Sequence, residues 1–281
     1  MQTDQVIIND KKTFTTKVER LQKEGSSSLH IVSDFDGTLT KEYAAGQKRH
    51  TAIAQIRQGE YLTPEYPQRA WALHDKYHAI EVDPSIPHDK KAQKMLQWWT
   101  EHIALLVECG MNKAVVDDIV KKKTMVLRDG CLEFFDLIAR KNIPLFILSS
   151  AVGDIIQGVL QTEGKLTNNV HIISNFFDYD AQGRVQGYKG VIIHAYNKRE
   201  TEIKKSPLYK EIKKRRNVIL LGNTLEDLQM AEGIPYNAIL KIGFYNEPDQ
   251  KNLNAFSQVY DMVILNDGSM SEVNKLLKRI M

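Results

Sequence analysis

The sequence predicts an α/β fold: a doubly wound parallel sheet with helices on both faces, and a helical domain inserted near its start. From Gly130 onward, short apolar runs alternate with segments of helical pattern. Parallel strands need long crossover connections, so this alternation favours a parallel sheet. Residues 41–124 instead contain few strand-like runs. Aspartate, serine and asparagine side chains, which can bind ligands or take part in catalysis, also stand where several of the apolar runs end.

The apolar runs predict the core elements in chain order. Predicted strands cover residues 29–34 (LHIVSD), 143–149 (IPLFILS), 170–174 (VHIIS), 217–222 (NVILLG), 238–243 (AILKIG) and 260–265 (YDMVIL). Predicted helices cover 154–163, about 225–232 and the end of the chain, and residues 181–183 (AQG) indicate a hairpin. Ligands of such sheets bind beyond the C-terminal strand ends, so we expect a site at Asp34, Ser149 and Asn223.

The inserted segment reads as helical because its apolar residues recur at helical spacing. The pattern is clearest at Met95, Leu96, Trp98, Trp99, Ile103 and Leu106. We therefore predict a core formed by residues 1–40 and 126–281, and a helical cap formed by residues 41–125.

Composition narrows the class of protein. The 281 residues are 42% hydrophobic and 26% charged, with a net charge of +3, which gives no bulk electrostatic support for nucleic-acid binding. No apolar stretch approaches the about 18–20 residues that span a bilayer, and the N-terminus has no secretory apolar core. Cys109 and Cys131 are too few for a disulfide framework and are expected to be buried thiols. We expect a cytoplasmic protein without nucleic-acid or membrane partners; its oligomeric state stays open.

The strongest chemical signal is residues 34–40 (DFDGTLT), directly after an apolar strand. Two carboxylates one residue apart at a strand end can share a cation. Asp34 is the expected nucleophile, which would form an aspartyl-phosphate, and Asp36 the expected acid and base. A phosphate beside carboxylates concentrates negative charge, so the motif predicts a Mg²⁺ cofactor held by oxygen ligands.

Three further segments supply the residues that this chemistry needs. Ser149 ends a strand and can donate a hydrogen bond to a phosphoryl oxygen. Lys198 can neutralise the charge of the nucleophile and the phosphate. Residues 222–227 (GNTLED) follow another strand, so Asn223 and Asp227 are expected to complete the metal site with Asp34 and Asp36.

The order of these segments resembles the haloacid dehalogenase-like phosphatases. The blocks YHAIEVDP (77–84), SSAVGD (149–154), GYKG (187–190) and LKIGF (240–244) are more particular, and resemble cytosolic 5′-nucleotidase III, the pyrimidine 5′-nucleotidase family. The resemblance implies a Rossmann-like core, a helical cap, and hydrolysis of nucleoside 5′-monophosphates, typically UMP or CMP. It also implies that Glu81 contacts the substrate and that Trp99, where the family has an aromatic residue, stacks on the base, leaving Trp98 for packing.

Two departures from the family keep alternatives open. Family members usually have an aspartate that ligates Mg²⁺ where this chain has Asn223, whose amide oxygen is neutral. Gly37 replaces a bulkier residue of the family and restores the general superfamily pattern. The alternatives are a phosphatase for another small phosphomonoester and a nucleotide-binding member whose catalysis is weakened by Asn223.

Overall fold

The computed structural model describes residues 5–44, 46–199, 207–249 and 251–281. The strands in chain order are β1 (Val6–Ile7), β2 (Leu29–Ser33), β3 (Tyr43–Ala44), β4 (Gln47–Lys48), β5 (Leu145–Val152), β6 (Val170–Asn175), β7 (Phe177–Tyr179), β8 (Val185–Tyr188), β9 (Asn217–Gly222), β10 (Ala238–Tyr245) and β11 (Met262–Leu265). The helices are α1 (Lys11–Glu24), α2 (Ala52–Gln58), α3 (Tyr66–Val82), α4 (His88–Glu108), α5 (Lys113–Lys121), α6 (Cys131–Arg140), α7 (Gly153–Thr162), α8 (Pro207–Lys214), α9 (Leu253–Val259) and α10 (Ser271–Ile280).

The central sheet is parallel except at one edge. Within the described residues it has seven strands in the order β1-β11-β10-β9-β2-β5-β6. Only β1 pairs antiparallel, against β11, and the other five pairings are parallel. The predicted α/β class with flanking helices is therefore confirmed.

Alternate residues of each central strand enter opposite faces of the sheet, and helices cover both faces. In β9, Ile219 and Leu221 pack with α1, α6, α7 and α10 on one face. Val218 and Leu220 pack with α8 and α9 on the other. A strand buried on both faces is apolar throughout, and for this reason β2 and β9 were readable as continuous apolar runs.

The inserted segment is helical, as predicted, and its two ends meet. Between them lie the short β3–β4 hairpin and helices α2 to α5. Lys41 N–H donates to Val126 O at 2.9 Å, and Arg128 N–H donates to Leu39 O at 2.8 Å. The β7–β8 hairpin, predicted around residues 181–183, packs against this segment, since Lys113 N–H donates to Gly183 O at 2.9 Å. The division into residues 1–40 and 126–281 against 41–125 stays a prediction.

The structure corrects two expectations and adds two elements. The strand predicted over residues 143–149 is β5 (Leu145–Val152), so Ser149 lies inside the strand and not at its end. Residues 226–231 form a 3₁₀ helix instead of the predicted helix over 225–232, because Asp227 binds the preceding backbone. The structure adds α1 and the antiparallel strand β1 in the polar N-terminal region. No helix in the described part of the chain is both long and apolar enough to cross a membrane.

Candidate active site

The loop after β2 is shaped by backbone hydrogen bonds and by Gly37. Asp34 N–H donates to Leu221 O of β9 at 3.0 Å, which fixes the start of the loop between two central strands. The N–H groups of Thr38 and Leu39 then turn back onto Phe35 O, at 3.2 and 3.0 Å. Gly37 has φ +74°, a conformation that favours glycine, and a Cβ there would lie 2.5 Å from Asn223 Nδ2. The loop therefore needs glycine for its conformation and for the space that Asn223 occupies.

Arg128 fixes this loop through hydrogen bonds to its backbone carbonyl oxygens. Its Nε donates to Thr38 O at 2.9 Å, and its Nη2 donates to Gly37 O at 2.6 Å. Asp267 neutralises it at 3.0 Å, and the side chain is fully buried. Sequence reasoning missed Arg128, because a lone arginine carries no signal until the fold brings it to this loop.

Lys198 lies between two carboxylates. Its Nζ donates to Asp34 Oδ1 at 2.5 Å and to Asp227 Oδ1 at 2.8 Å. Burial alone would lower the pKa of Lys198, but the two carboxylates outweigh burial and raise it. Lys198 is therefore a permanent cation beside the predicted nucleophile.

Asp227 orients the loop after β9. Its Oδ2 accepts hydrogen bonds from Asn223 N–H and Thr224 N–H, both at 2.9 Å. Its Oδ1 is taken by Lys198. Tyr260, which sequence reasoning missed, fixes the same loop by donating from its hydroxyl to Thr224 O at 2.6 Å. Both Asp227 oxygens thus already accept hydrogen bonds. Asp227 is therefore placed to position Lys198 and Asn223.

The two predicted catalytic carboxyl groups have raised pKa values. Burial raises the pKa of Asp34 to about 6, although Lys198 opposes this shift. Burial, and then the neighbouring Asp34, raise the pKa of Asp36 to about 7, although Ala52 N–H lowers it. Ala52 N–H, at the start of α2, lies 3.2 Å from Asp36 Oδ1. A carboxyl group whose pKa is raised to about 7 can both give and accept a proton near neutral pH, which suits the predicted role of Asp36.

Oxygen atoms of Asp34 and Asn223 face a common point. Thr38 Oγ1 lies 3.4 Å from Asp34 Oδ2 and 3.2 Å from Asn223 Oδ1. No cluster of three histidine, cysteine, aspartate or glutamate side chains suited to a metal occurs among the described residues. One carboxylate and one amide oxygen still form a hard donor set, which fits Mg²⁺ because this ion keeps several of its waters.

Glu42 adds a carboxylate beside Asn223 that sequence reasoning missed. Asn223 Nδ2 lies 3.5 Å from Glu42 Oε2, which also accepts from Asn246 Nδ2 at 2.7 Å. Lys48 pairs with the other oxygen of Glu42 at 2.7 Å. Because Glu42 faces the amide nitrogen, the amide oxygen of Asn223 is the atom that accepts from Thr38 Oγ1, at 3.2 Å.

The predicted phosphate and base residues surround one cavity of about 290 Å³. It is lined by Asp34, Asp36, Thr51, Ile53, Trp99, Ser149, Ser150, Ala151, Ala195, Lys198, Asn223, Thr224, Glu226 and Asp227. Trp99 of α4 thus shares a cavity with the predicted catalytic carboxylates, whereas Trp98 packs against the buried cluster of Tyr77, Met95 and Tyr196. Glu81 does not line this cavity; its Oε2 lies 3.2 Å from His78 Nδ1.

Comparisons with known proteins identify the family of this chain. The sequence model of the pyrimidine 5′-nucleotidase (UMPH-1) family matches residues 37–281. The chain is 34% identical to the 7-methylguanosine phosphate-specific 5′-nucleotidase A of Xenopus laevis over 276 residues, 98% of this chain and 95% of that protein. It is also 34% identical to the human 7-methylguanosine phosphate-specific 5′-nucleotidase over 265 residues, 94% of this chain and 88% of that one.

A solved structure agrees as well. Cytosolic 5′-nucleotidase IIIB bound to cytidine superposes with a TM-score of 0.90 and 29% identity, over 99% of this chain and 94% of that one. The family resemblance expected from the sequence is thereby confirmed. The chain belongs to the pyrimidine 5′-nucleotidase (UMPH-1) family.

Proposed function

We propose that this 5′-nucleotidase hydrolyses pyrimidine nucleoside 5′-monophosphates, UMP and CMP, to nucleoside and phosphate with Mg²⁺ as cofactor. The observation that carries the proposal is the shared cavity, in which Asp34, Asp36, Ser149 and Lys198 face Trp99. The family name and the cytidine-bound relative support the pyrimidine base. That relative is described as cytosolic, which supports the expected cytoplasmic location.

In the first step Asp34 attacks phosphorus and forms the aspartyl-phosphate, and the bond from phosphorus to the nucleoside O5′ breaks. Asp36 gives its proton to that O5′. In the second step a water attacks phosphorus, Asp36 takes the proton of the water, and phosphate leaves Asp34 free. Ser149 and Lys198 would bind the phosphoryl oxygens. Bound Mg²⁺ would supply positive charge against the phosphate.

We propose that the cation is held by Asp34, Asp36 and Asn223. Asp227 stays a candidate ligand, although its oxygens already accept from Lys198 and from the backbone of the 222–227 loop. The stacking role of Trp99 is supported by its place in the cavity. Glu81 would reach the substrate only after leaving His78, so its role stays a prediction.

A second base has support from the curated relatives, which are named for 7-methylguanosine phosphate. Phosphate release from UMP, CMP, GMP and 7-methylguanosine 5′-monophosphate, with Mg²⁺ varied, separates the candidates. We expect Mg²⁺-dependent turnover of UMP and CMP that Asp34→Asn abolishes. Trp99→Ala should raise the KM for nucleotides, and an unchanged KM would contradict stacking. Turnover of phospho-sugars alone, or of nothing, would favour the two alternatives left open by the sequence.

A further inference from the structure

Helix α3 carries two histidines one helical turn apart. His74 and His78 are four positions apart, so their side chains lie on the same face of the helix. No other two of the eight histidines in the chain are three or four positions apart. The two rings lie close together, with 5.1 Å between their centroids. Two histidines at this spacing on one helical face can bind a single metal ion, as they do in the HExxH helix of metalloproteases.

A carboxylate lies beside the Nδ1 atom of each ring. His74 Nδ1 lies 3.0 Å from Asp75 Oδ1, and His78 Nδ1 lies 3.2 Å from Glu81 Oε2. A neutral imidazole that donates its Nδ1 hydrogen to a carboxylate has its lone pair on Nε2, and the carboxylate makes that Nε2 a better ligand. Histidines that bind metals almost always have such a partner on their other nitrogen. Asp75 and Glu81 therefore prepare the same atom of both rings, Nε2, to bind an ion.

The positions of the two rings suit a tetrahedral ion. An ion about 2.1 Å from both Nε2 atoms, at roughly the tetrahedral angle, sets the ring centroids about 5 Å apart, which is close to the observed spacing. The ring of His74 is held by Trp71 and Trp98, whose centroids lie 5.2 and 5.8 Å away. The two ring planes differ by 21°, and the half-exposed His78 has room to rotate about its χ2 bond until both lone pairs meet at one point. One ligand is thus fixed in advance and the other is open to solvent.

We propose that His74 and His78 form a zinc site on α3. The two Nε2 atoms are its protein ligands and water completes the coordination, because no third histidine, cysteine, aspartate or glutamate joins them to form a metal cluster in the part of the chain that the structure describes. Imidazole nitrogen suits Zn²⁺, whereas Mg²⁺ takes oxygen ligands. Neither histidine lines the cavity that contains Asp34. The zinc site is therefore separate from the predicted Mg²⁺ site, and its test does not depend on the proposed nucleotidase function.

Isothermal titration calorimetry with Zn²⁺ tests the site, in an excess of Mg²⁺ that competes for the carboxylates of the catalytic cavity. The variants are His78→Gln, which removes one ligand, and His78→Gln combined with Ala79→His, which keeps the number of histidines but moves the imidazole about 100° around the helix. His88→Gln is the control, because His88 is an exposed histidine with no second histidine within four positions. We expect the unaltered protein and His88→Gln to bind Zn²⁺ equally, and both His78 variants to bind it about tenfold or more weakly.

The carboxylate beside His74 gives a second measurement. Asp75→Asn removes the charge that increases the basicity of His74, so it should weaken Zn²⁺ binding about tenfold while both imidazoles stay in place. An unchanged dissociation constant in Asp75→Asn would refute the role of that carboxylate.

Three results would overturn the zinc site. The first is that the unaltered protein takes up no Zn²⁺ in excess Mg²⁺, a measurement that needs no variant to fold. The second is an unchanged affinity in His78→Gln. The third is full affinity in the double variant, which would show that the number of histidines matters and their spacing does not. Urea unfolding without Zn²⁺ verifies that each variant is folded, and the exposed positions of His78 and Ala79 favour this result.

Discussion

Replacing Asn223 by aspartate restores the family's usual residue, but the structure predicts that the change is costly without metal. The amide nitrogen that becomes an oxygen lies 3.5 Å from Glu42 Oε2. Two unit charges at that separation repel by about 5 kcal/mol at an effective dielectric constant of about 20. The penalty cannot exceed the cost of protonating one of the two carboxylates at neutral pH, which is about 3.5 kcal/mol. The salt bridge from Lys48 lowers the penalty further, so we expect a loss of about 2–3 kcal/mol in the free energy of unfolding.

Urea unfolding in EDTA and in Mg²⁺ measures this loss. A double-mutant cycle with Glu42→Gln isolates the repulsion, and Asn223→Asp in that background should cost less than about 1 kcal/mol. Glu247→Gln is the matched control, because Glu247 also pairs with Lys48, at 3.0 Å, and has no contact with Asn223. Mg²⁺ should recover stability in Asn223→Asp by binding the folded state. An equal loss of stability on Asn223→Asp with Glu42 present and with Glu42→Gln would refute the reasoning.

Two further predictions concern buried charges. The pKa of Asp36 is raised to about 7 in the folded protein, mainly by burial, and lies near 4 in the unfolded chain, so its stabilising contribution is full below about pH 4 and is lost as the pH rises through about 7. In EDTA the urea concentration at the unfolding midpoint should therefore decrease as the pH rises from about 5 to about 8. Asp36→Asn should make this decrease smaller. Parallel plots of midpoint against pH for the two proteins would contradict the assignment. Lys198→Met leaves Asp34 and Asp227 buried without their cation and should cost about 3–5 kcal/mol by urea unfolding, against less than about 0.5 kcal/mol for Lys113→Met at an exposed i,i+4 pair. Similar losses in the two lysine variants would show that the buried contacts contribute nothing.

Much of the core was predictable because its central strands are buried on both faces. Predicted strand 217–222 coincides with β9 (Asn217–Gly222), and the first predicted strand ends one residue beyond β2 (Leu29–Ser33). The strand β1 was not predictable in this way, because two residues carry no periodicity and its identity depends on pairing with β11. The 3₁₀ helix at residues 226–231 likewise depends on a side chain, Asp227, that binds the backbone before it.

The residues of the candidate site likewise divide into those predictable from the sequence and those that depend on the fold. Asp34 and Asn223 were predictable because they follow β2 and β9 directly, and the sheet brings such strand ends together. Ser149 lies inside β5, where the pairing with β6 is interrupted between Leu148 and Val152. Arg128 and Asn246 contact Gly37 from 91 and 209 positions away in sequence, so no local pattern could reveal them.

The two departures from the family pattern, Gly37 and Asn223, are related through their contacts with Glu42. A Cβ at position 37 would lie 2.5 Å from Asn223 Nδ2 and 3.1 Å from Glu42 Oε2. The absence of that side chain gives Asn223 and Glu42 room to meet, and Glu42 then brings a carboxylate to the place where the amide has removed one. An aspartate at position 223 would add a further negative charge beside Asp34, Asp36 and Glu42, opposed by Lys198, by Lys48 at Glu42, and by Mg²⁺ when it is bound. The neutral amide is therefore the residue that this arrangement favours, and restoring aspartate should cost less stability where Glu42 has been neutralised as well.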